Sequence, residues 1–356
     1  MKKILLVGDD YIDSQVMREG FAPFEEYGYQ LVTYDWFHEG GMAELQHLNR
    51  LLEEDGPEAV PVPDEVYRLI EDVEILAFQF LPVPRSLLEA GKKLKAVGTL
   101  RAGMENLDVA AASQLGIMVF NNPGRNAHAV AEFAIGLLFA EARNICRCHV
   151  SIKEGGWRRD FINSPYTPEV EGKTIGIIGL GMIGQLVAKK LAGFEPRFLG
   201  YDPYVKPEDV QHLGVEMVDL DTLLKEADFV TLHARLTEEN EHLLGERELG
   251  LMKPTAIIIN TARSGLIDEE ALYKALKERR IGGAALDVFD VEPPGKDYPL
   301  VTLDNCTVTT HMAGTTKDAL LNAPKLLAQR MLCLVQEGGE PRFLVNKEEV
   351  GFHRLR

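Results

Sequence analysis

The order of apolar segments along the chain is the feature that most constrains its fold. Short apolar runs alternate with stretches of helical periodicity, which is typical of βαβ units with parallel strands. A turn at Asn122-Pro123-Gly124 divides the runs into two series. The first series is predicted to form strands at residues 4–7, 31–34, 75–78, 96–98 and 117–119. The second series is predicted to form strands at residues 174–179, 198–201, 229–233, 256–260, 284–288 and 306–309.

Length and charge exclude several classes of protein. At roughly 150 residues per domain, a chain of 356 residues corresponds to about two domains. There are 38 Lys and Arg residues against 55 Asp and Glu residues, so the formal charge is -17. This balance argues against nucleic acid or an anionic membrane as the main partner, because both bind clustered cations.

Neither a targeting segment nor a metal site is expected. No apolar run reaches the roughly 20 residues of a membrane span, and Gly8-Asp9-Asp10 ends the first run too early for a signal peptide. The four cysteines form no CxxC pattern. Cys146-Arg147-Cys148-His149 falls in a predicted helix, where neighbours one or two residues apart diverge. We therefore expect a cytoplasmic protein without a metal site.

Helical patterns occupy most segments between the predicted strands. Within residues 35–67, apolar side chains recur at spacings of three and four: Met42, Leu45, Leu48 and Leu52. We interpret this segment as a surface excursion whose role stays open. One long helix is predicted over residues 126–153, with an apolar stretch at 129–140 that must be buried on most sides.

Two aspartates are predicted to cap helices in the second half of the chain. Asp221 precedes Leu223-Leu224, and Asp268 precedes another apolar helical pattern, so both fit the N-cap position. A last helix over residues 317–336 and a short strand at 343–345 are predicted to close the chain.

The segment Gly179-Leu180-Gly181-Met182-Ile183-Gly184 fits the pattern G-x-G-x-x-G. A predicted strand leads into it, an apolar helix follows, and Asp202 ends the next strand 18 residues beyond Gly184. In such a unit Gly179 permits a tight turn, Gly181 lets a pyrophosphate approach the backbone, and Gly184 lets helix and strand pack closely. The first helical N–H groups, near Met182 and Ile183, then face the phosphates.

The residues around Asp202 favour NAD over NADP. Its carboxylate would accept hydrogen bonds from a ribose diol and would repel a 2′-phosphate. No arginine follows within residues 203–206 to neutralise such a phosphate. The alternative is a glycine-rich turn that binds nothing, but the strand, the helix and the distal acid together argue for the cofactor.

Charged and polar residues follow several strands of the second series, and ligands of open parallel sheets bind beyond these carboxyl ends. Arg263, Glu292 and His311 each follow a predicted strand, and His233 ends another. Such a set suits hydride transfer between NAD and a 2-hydroxy acid. A histidine can move the hydroxyl proton, a carboxylate can hold its tautomer, and an arginine can bind the substrate carboxylate bidentately. Spacing alone does not choose between His233 and His311.

Three ordered segments resemble the D-isomer-specific 2-hydroxyacid dehydrogenases, most closely their phosphoglycerate dehydrogenase-like branch without its regulatory domain. They are Asn260-Thr261-Ala262-Arg263-Ser264-Gly265, Asp287-Val288-Phe289-Asp290-Val291-Glu292-Pro293 and His311-Met312-Ala313-Gly314. The resemblance implies that Arg263 binds the substrate, that Glu292 supports the histidine, and that His311 is the acid/base residue. It also implies a set of residues beside the cofactor: His233, Thr261, Ala262 and Asp287.

The same resemblance implies the domain organisation. The family has two Rossmann- or flavodoxin-like parallel-sheet domains, with the cofactor domain inserted into the substrate domain. This predicts a substrate domain over residues 1–122 plus 313–356 and an NAD-binding domain over 123–312. It also implies a homodimer, with the helix after Asn126 at the interface.

The resemblance further places a substrate loop in the first series. Leu100-Arg101-Ala102-Gly103 is similar to the family's loop whose backbone amides hold the substrate carboxylate. Arg101 is similar to a basic residue of the phosphoglycerate branch, and Gln79 stands where that branch carries a basic residue after the third strand. The expected substrate is a small D-2-hydroxy acid or its 2-keto partner, and this class includes sugar-derived and phosphorylated acids. Gln79, in place of the basic residue, argues against 3-phosphoglycerate itself.

Two further hypotheses remain open on the sequence. Relatives of corepressor type keep the same three residues and sense NAD(H) through protein contacts. Phosphite-type dehydrogenases also share the triad, so the triad alone does not distinguish the electron donor.

Overall fold

The computed structural model describes residues 2–355. The chain forms two compact units, one built from residues up to Arg125 together with those from Thr316 onward, the other from Asn126–Thr315. The second unit is thus an insertion into the first. Each unit contains one parallel sheet flanked by helices, which confirms the predicted α/β fold of two parallel-sheet domains.

The strands and helices are numbered in chain order. The strands are β1 (Lys2–Asp9), β2 (Tyr29–Trp36), β3 (Ile75–Phe78), β4 (Ala96–Thr99), β5 (Met118–Phe120), β6 (Thr174–Ile178), β7 (Arg197–Tyr201), β8 (Val215–Met217), β9 (Phe229–Leu232), β10 (Ile257–Asn260), β11 (Gly283–Leu286) and β12 (Cys306–Val308). The helices are α1 (Ser14–Phe21), α2 (Gly41–Asp55), α3 (Asp64–Ile70), α4 (Arg85–Ala90), α5 (Val109–Gln114), α6 (Ala127–Ala142), α7 (Ile145–Lys153), α8 (Met182–Leu191), α9 (Pro207–Val210), α10 (Leu220–Glu226), α11 (Glu246–Leu249), α12 (Glu269–Lys277), α13 (Lys317–Leu321), α14 (Ala323–Met331) and α15 (Lys347–Val350).

The sheet of the first unit has the strand order β2-β1-β3-β4-β5, with every pair parallel. Side chains of β1 alternate between two buried clusters, because successive residues of a strand point to opposite faces. Ile4 and Leu6 join the cluster that includes residues of α1 and α14. Leu5 and Val7 join the cluster on the other face, with residues of α2 to α5. Both faces of this sheet are therefore covered, as is usual for parallel sheets.

Helix α2 confirms the helical spacing in residues 35–67 but corrects the interpretation of that segment. Leu45 and Leu52 are fully buried in the core of the first unit, whereas Met42 is exposed. The segment is therefore part of the packed structure and not only a surface excursion.

The sheet of the second unit has the order β12-β11-β10-β9-β6-β7-β8. The chain runs outward from β6 through β7 to β8 and then returns to β9 on the other side of β6. Strand order therefore reverses between β6 and β9, and such a switch point leaves a crevice at the carboxyl ends of the strands. Strand β8 was not predicted, because it has only three residues and one of them, Glu216, is charged and exposed.

Two helices predicted to be continuous are divided. The helix over residues 126–153 separates into α6 and α7 at Asn144, which has a positive φ of 58°. Asn144 donates a hydrogen bond to Asn163 Oδ1 at 2.7 Å, and asparagine tolerates the left-handed region better than most residues. The helix over residues 317–336 separates into α13 and α14, where Pro324 occupies the first turn of α14.

Two smaller predictions were wrong. Helix α10 is capped by Asp219, not by Asp221, because the helix begins two residues earlier than its apolar pattern suggests. Residues 343–345 form no strand; Leu344 makes only one isolated bridge, to Phe120. Asp268 does cap α12, since its carboxylate accepts a hydrogen bond from the Ala271 N–H at 3.0 Å.

Of the helices that the structure describes, none has the length and apolar character to cross a membrane.

The cap of α10 can be tested by substitution. Asp219 accepts hydrogen bonds from the backbone N–H of Thr222 at 2.9 Å and from its hydroxyl at 2.8 Å. We expect Asp219→Ala to lower the free energy of unfolding, because the first turn of α10 loses its cap. Asp219→Asn should retain most of the wild-type stability, because asparagine also caps helices. Urea denaturation measures both values, and equal losses in the two variants would contradict the capping role.

Candidate functional site

The turn between β6 and α8 requires glycine at its first position. Gly179 has a φ of 91°, a conformation that residues with a side chain rarely adopt. A Cβ atom at this position would lie 2.4 Å from the backbone nitrogen of Ala234, which follows β9. The glycine therefore lets the turn pass close to the neighbouring strand, at the switch point of the sheet.

The other two glycines of the turn differ in what surrounds them. A Cβ atom on Gly184 would lie 2.1 Å from the carbonyl oxygen of Gly179, so helix α8 packs against the end of β6 only with glycine there. A Cβ atom on Gly181 would have no atom of the described residues within 4 Å, apart from its chain neighbours. The backbone at Gly181 thus faces open space at the N-terminus of α8, where the N–H groups of Met182 and Ile183 begin the helix.

Asp202 follows β7 and is bonded to the same turn. One carboxylate oxygen accepts a hydrogen bond from the Leu180 N–H at 2.8 Å, and the other accepts one from the Tyr204 N–H at 2.8 Å. Each carboxylate oxygen can accept a second hydrogen bond. Asp202 therefore holds the glycine turn in place and keeps acceptor capacity for hydroxyl groups.

Two buried polar atoms near this crevice have no partner within residues 2–355. They are the hydroxyl oxygen of Thr261, after β10, and Nδ1 of His233, after β9. The other ring nitrogen of His233 is 2.8 Å from the Thr231 hydroxyl, and burial lowers the pKa of His233 to about 3. The imidazole is therefore neutral near pH 7. Unsatisfied buried groups are costly, so these atoms and the open glycine turn fit a dinucleotide that supplies hydrogen-bonding partners.

His311 and Glu292 form a hydrogen-bonded pair. His311 Nδ1 is 2.8 Å from one Glu292 oxygen, and the Phe289 N–H donates to the other at 3.0 Å. Partial burial favours a higher pKa for Glu292, but the bonds from His311 and Phe289 and the nearby charge of Arg263 outweigh it, so its pKa is lowered. Half of the His311 side chain is exposed, and its second ring nitrogen, Nε2, forms no hydrogen bond within residues 2–355.

Arg263 follows β10 and is exposed. Its guanidinium donates to the Ala262 carbonyl at 2.6 Å. The side chain of Asn260 shapes this loop, since it donates to the Arg263 carbonyl at 2.9 Å and accepts from the Ala262 N–H at 3.0 Å. Within residues 2–355 the guanidinium forms no ion pair, so its remaining N–H groups are available for an anion.

Asp287 holds the backbone on either side of His311. This fully buried carboxylate accepts hydrogen bonds from the Thr309 hydroxyl at 2.6 Å, from the Met312 N–H at 3.0 Å and from the Ala313 N–H at 2.8 Å. His311 itself has a φ of 54°, so the loop needs such support. The position of Asp287 beside the nicotinamide, which the family resemblance implies, stays a prediction, and its described contacts show that it orders the His311 loop.

In the first unit, Arg101 is bound to helix α2. Its guanidinium donates to Asn49 at 2.8 Å and to Glu53 at 2.6 Å, and it lies 5.0 Å from the centre of the Phe80 ring. The adjoining Ala102 carbonyl accepts a hydrogen bond from Asn121 at 2.9 Å. The sequence predicts the loop of Arg101, Ala102 and Gly103 but not its attachment to α2.

Two charged residues of the first unit are not indicated by any sequence pattern described above. Arg125 donates a hydrogen bond to Gln79 Oε1 at 3.0 Å. Asp9 ends β1, and burial raises its pKa to about 6 even though its carboxylate accepts the N–H groups of Tyr11 and Ile12. Asp9 could have been found, because it follows the same rule of strand ends as Arg263, Glu292 and His311.

The structure therefore brings together most of the predicted site residues of the second unit. Arg263, Glu292 and His311 share the edge formed by the ends of β10, β11 and β12, and the glycine turn lies at the end of β6 in the same sheet. The predicted residues of the first unit, Gln79 and the Arg101 loop, lie at the ends of β3 and β4 of their own sheet.

Similarity to known proteins agrees with these features. Residues 135–313 match the family model of the D-isomer specific 2-hydroxyacid dehydrogenase, NAD binding domain. The chain is 44% identical over 287 residues to a D-3-phosphoglycerate dehydrogenase of Methanocaldococcus jannaschii, covering 79% of this chain and 54% of the relative. It is 44% identical over 259 residues to a hydroxypyruvate reductase of Thermotoga maritima, covering 72% of this chain and 83% of the relative. This chain belongs to the D-isomer-specific 2-hydroxyacid dehydrogenase family.

The fold of this dehydrogenase family extends over nearly the whole chain. The crystal structure of D-lactate dehydrogenase with NAD⁺ from Lactobacillus jensenii superposes with a TM-score of 0.71 at 25% identity, covering 96% of this chain and 99% of that one. The chain spans about half the length of the D-3-phosphoglycerate dehydrogenases that it matches. The NAD-binding region includes the glycine turn, Asp202, Arg263, Glu292 and His311.

The two glycine environments lead to a matched test. We expect Gly184→Ala to destabilise the protein by about 1–3 kcal/mol, because the new methyl group overlaps the Gly179 carbonyl. We expect Gly181→Ala to fold normally but to raise the Kd for NADH about tenfold or more, because its methyl group enters the space left for the phosphates. Thermal unfolding and titration of NADH fluorescence measure the two effects. Equal stability of the two variants would contradict this assignment.

Proposed function

We propose that the protein is an NAD-dependent oxidoreductase that transfers a hydride between nicotinamide and a small D-2-hydroxy acid or 2-keto acid. The observation that carries the proposal is the 2.8 Å hydrogen bond between His311 Nδ1 and Glu292, on an NAD-binding domain. A histidine held by a carboxylate and open on its other nitrogen suits proton transfer to or from a hydroxyl group.

NAD, when bound, would accept or donate the hydride. This chain's own residues bind the substrate and transfer its proton. The guanidinium of Arg263 binds the substrate carboxylate through its fork of N–H groups. His311 donates its Nδ1–H to Glu292 and moves the substrate proton at Nε2. Asp287 fixes the backbone on which the imidazole is carried.

The structure also supports His311 rather than His233 as the acid/base residue. Burial lowers the pKa of His233 to about 3, so its ring does not hold a transferable proton near pH 7. His233, Thr261 and Ala262 are instead proposed to line the cofactor site. Asp202, with no arginine in residues 203–206, supports NAD over NADP.

The first unit is proposed to bind the substrate. The curated relatives are named for 3-phosphoglycerate, hydroxypyruvate and glyoxylate, all of which are small 2-hydroxy or 2-keto acids or their derivatives. Gln79, Arg101, Ala102 and Gly103 are the residues proposed to contact such a substrate. The functional boundaries at 122/123 and 312/313 remain predictions; the compact units divide three residues further along the chain. The cytoplasmic location also remains a prediction.

The proton-transfer role has a direct test. We expect His311→Ala to lower kcat by roughly 10²–10⁴ for NADH-dependent reduction of hydroxypyruvate or glyoxylate, as is typical of general acid/base residues. NADH binding, followed by fluorescence, should be retained, and His212→Ala, at an exposed histidine of the second unit outside α7, is the matched control. An unchanged kcat would exclude His311 from this role. NADH binding without turnover of any keto acid would favour a dinucleotide sensor, and NADH formed from phosphite and NAD would favour a phosphite dehydrogenase.

A homodimer is the proposed assembly, and helix α7 supports it. Ile145 and Ile152 lie seven residues apart on one face of the helix, and both are 53% exposed. Val150 on the same helix is 50% exposed, and Trp157, four residues beyond its end, is 78% exposed. Exposed apolar surface of this kind is typical of interaction sites.

We expect Ile152→Glu to shift the protein from dimer to monomer, because a carboxylate on this apolar face would lose its water in the interface. Sedimentation velocity measures the mass. Met42→Glu, an exposed apolar position in the first unit, is the control and should leave the mass unchanged. A dimer that persists in Ile152→Glu would contradict an interface on α7.

A further inference from the structure

Arg125 is a cation that has lost much of its water without gaining a counter-ion. Its one hydrogen bond within residues 2–355 is the bond to Gln79 Oε1 at 3.0 Å. Within the described residues its guanidinium forms no ion pair, and the charge of Asp9 acts on it only from a distance. Burial lowers its pKa, and the nearby charge of Arg101 lowers it further. Because a desolvated cation without a partner is unfavourable, this position is suited to an added anion.

Gln79 adds a second unsatisfied donor at the same place. The side chain is 2% exposed, and its Nε2 group has no partner among the described residues. Its oxygen is already used by Arg125, so the amide presents its N–H groups. A buried amide donor beside an unpaired guanidinium matches the oxygen atoms of a carboxylate or a phosphate.

The neighbouring charges do not supply this anion. Arg101 is paired with Glu53 and lies beside Glu105, so its own charge is already balanced. Asp9 is close enough to influence Arg125 but forms no ion pair with it, and its Oδ2 atom is buried without a partner.

The position in the sheet is where ligands of parallel sheets bind. Asp9 ends β1, Gln79 follows β3 directly, Arg101 follows β4, and Arg125 follows β5. These strands lie in the order β1-β3-β4-β5, so the residues are at neighbouring carboxyl ends. The segment after β5 carries the guanidinium of Arg125, and the residue directly after β3 carries the buried amide of Gln79.

We propose that Arg125 and Gln79 form an oxyanion site in the first unit, and that this site takes a second acidic group of the substrate. The substrate class is then a 2-keto or 2-hydroxy acid that carries a further carboxylate or phosphate besides the carboxylate at C1. This inference rests on the proposed function, because it names the substrate class of that enzyme.

The first test compares two substrates of similar size and different charge. The values of kcat/KM with NADH are measured for oxaloacetate, with a second carboxylate, and for pyruvate, without one. The wild-type protein should favour oxaloacetate. In Arg125→Gln the ratio of the two values should fall about 10- to 100-fold, as expected when a hydrogen bond to a charged group is lost. Arg125→Lys should retain part of the preference.

Arg50→Gln is the matched control, because Arg50 is an exposed arginine of the same unit that forms no ion pair within residues 2–355. Its substrate ratio should equal that of the wild-type protein. A wild-type protein that turns over pyruvate at least as well as oxaloacetate, or an unchanged ratio in Arg125→Gln, would overturn the substrate class while leaving the proposed function in place.

A second measurement does not depend on turnover. Inorganic phosphate should raise the thermal unfolding temperature of the wild-type protein and of Arg50→Gln, and should raise that of Arg125→Gln much less. This readout stays informative if no keto acid is reduced, in which case the proposed function fails and the oxyanion site is still tested. If Arg125→Gln loses the stabilisation by phosphate but keeps the wild-type substrate ratio, the site binds a free anion. That result would overturn the assignment of the site to the second acidic group of the substrate. Equal stabilisation of all three proteins would overturn the site.

Discussion

Parallel pairing of strands is the constraint on which the rest of this structure depends. Because all strands of a sheet run in one direction, their carboxyl ends lie along one edge, and residues far apart in the sequence meet there. In the second unit this edge collects the glycine turn after β6, Arg263 after β10 and His311 after β12. In the first unit it collects Asp9, Gln79 and Arg125. Sheet topology therefore determines which side chains of each unit can act together.

Much of the second unit could be predicted from the sequence, because its signals are local. A strand, three spaced glycines and a helix occupy one short segment, and the structure shows a distinct steric reason for glycine at Gly179 and at Gly184. The residues after β10 to β12 follow from the same rule of strand ends. Sequence spacing left His233 and His311 equivalent, and the resemblance to the family favoured His311. The structure adds a physical distinction. Burial of its ring lowers the pKa of His233 to about 3, so His233 is neutral, whereas His311 is bonded to a carboxylate.

The features that the sequence did not reveal depend on long-range packing or on single backbone angles. Gln79 and Arg125 are 46 residues apart, and no local pattern indicates that their side chains meet. The break between α6 and α7 depends on the left-handed conformation of Asn144, inside a segment whose composition favours a continuous helix. Asp219 and Asp221 both fit the cap of α10, and only the hydrogen bond to Thr222 distinguishes them.

The left-handed backbone of His311 also restricts how this position can evolve. Glycine, asparagine and aspartate accept such a conformation more readily than β-branched residues do. In a saturation library at this codon, a variant would therefore lose activity for one of two reasons: the loop does not fold, or the imidazole is missing. Poor expression of valine, isoleucine or threonine variants would report on backbone torsion rather than on catalysis.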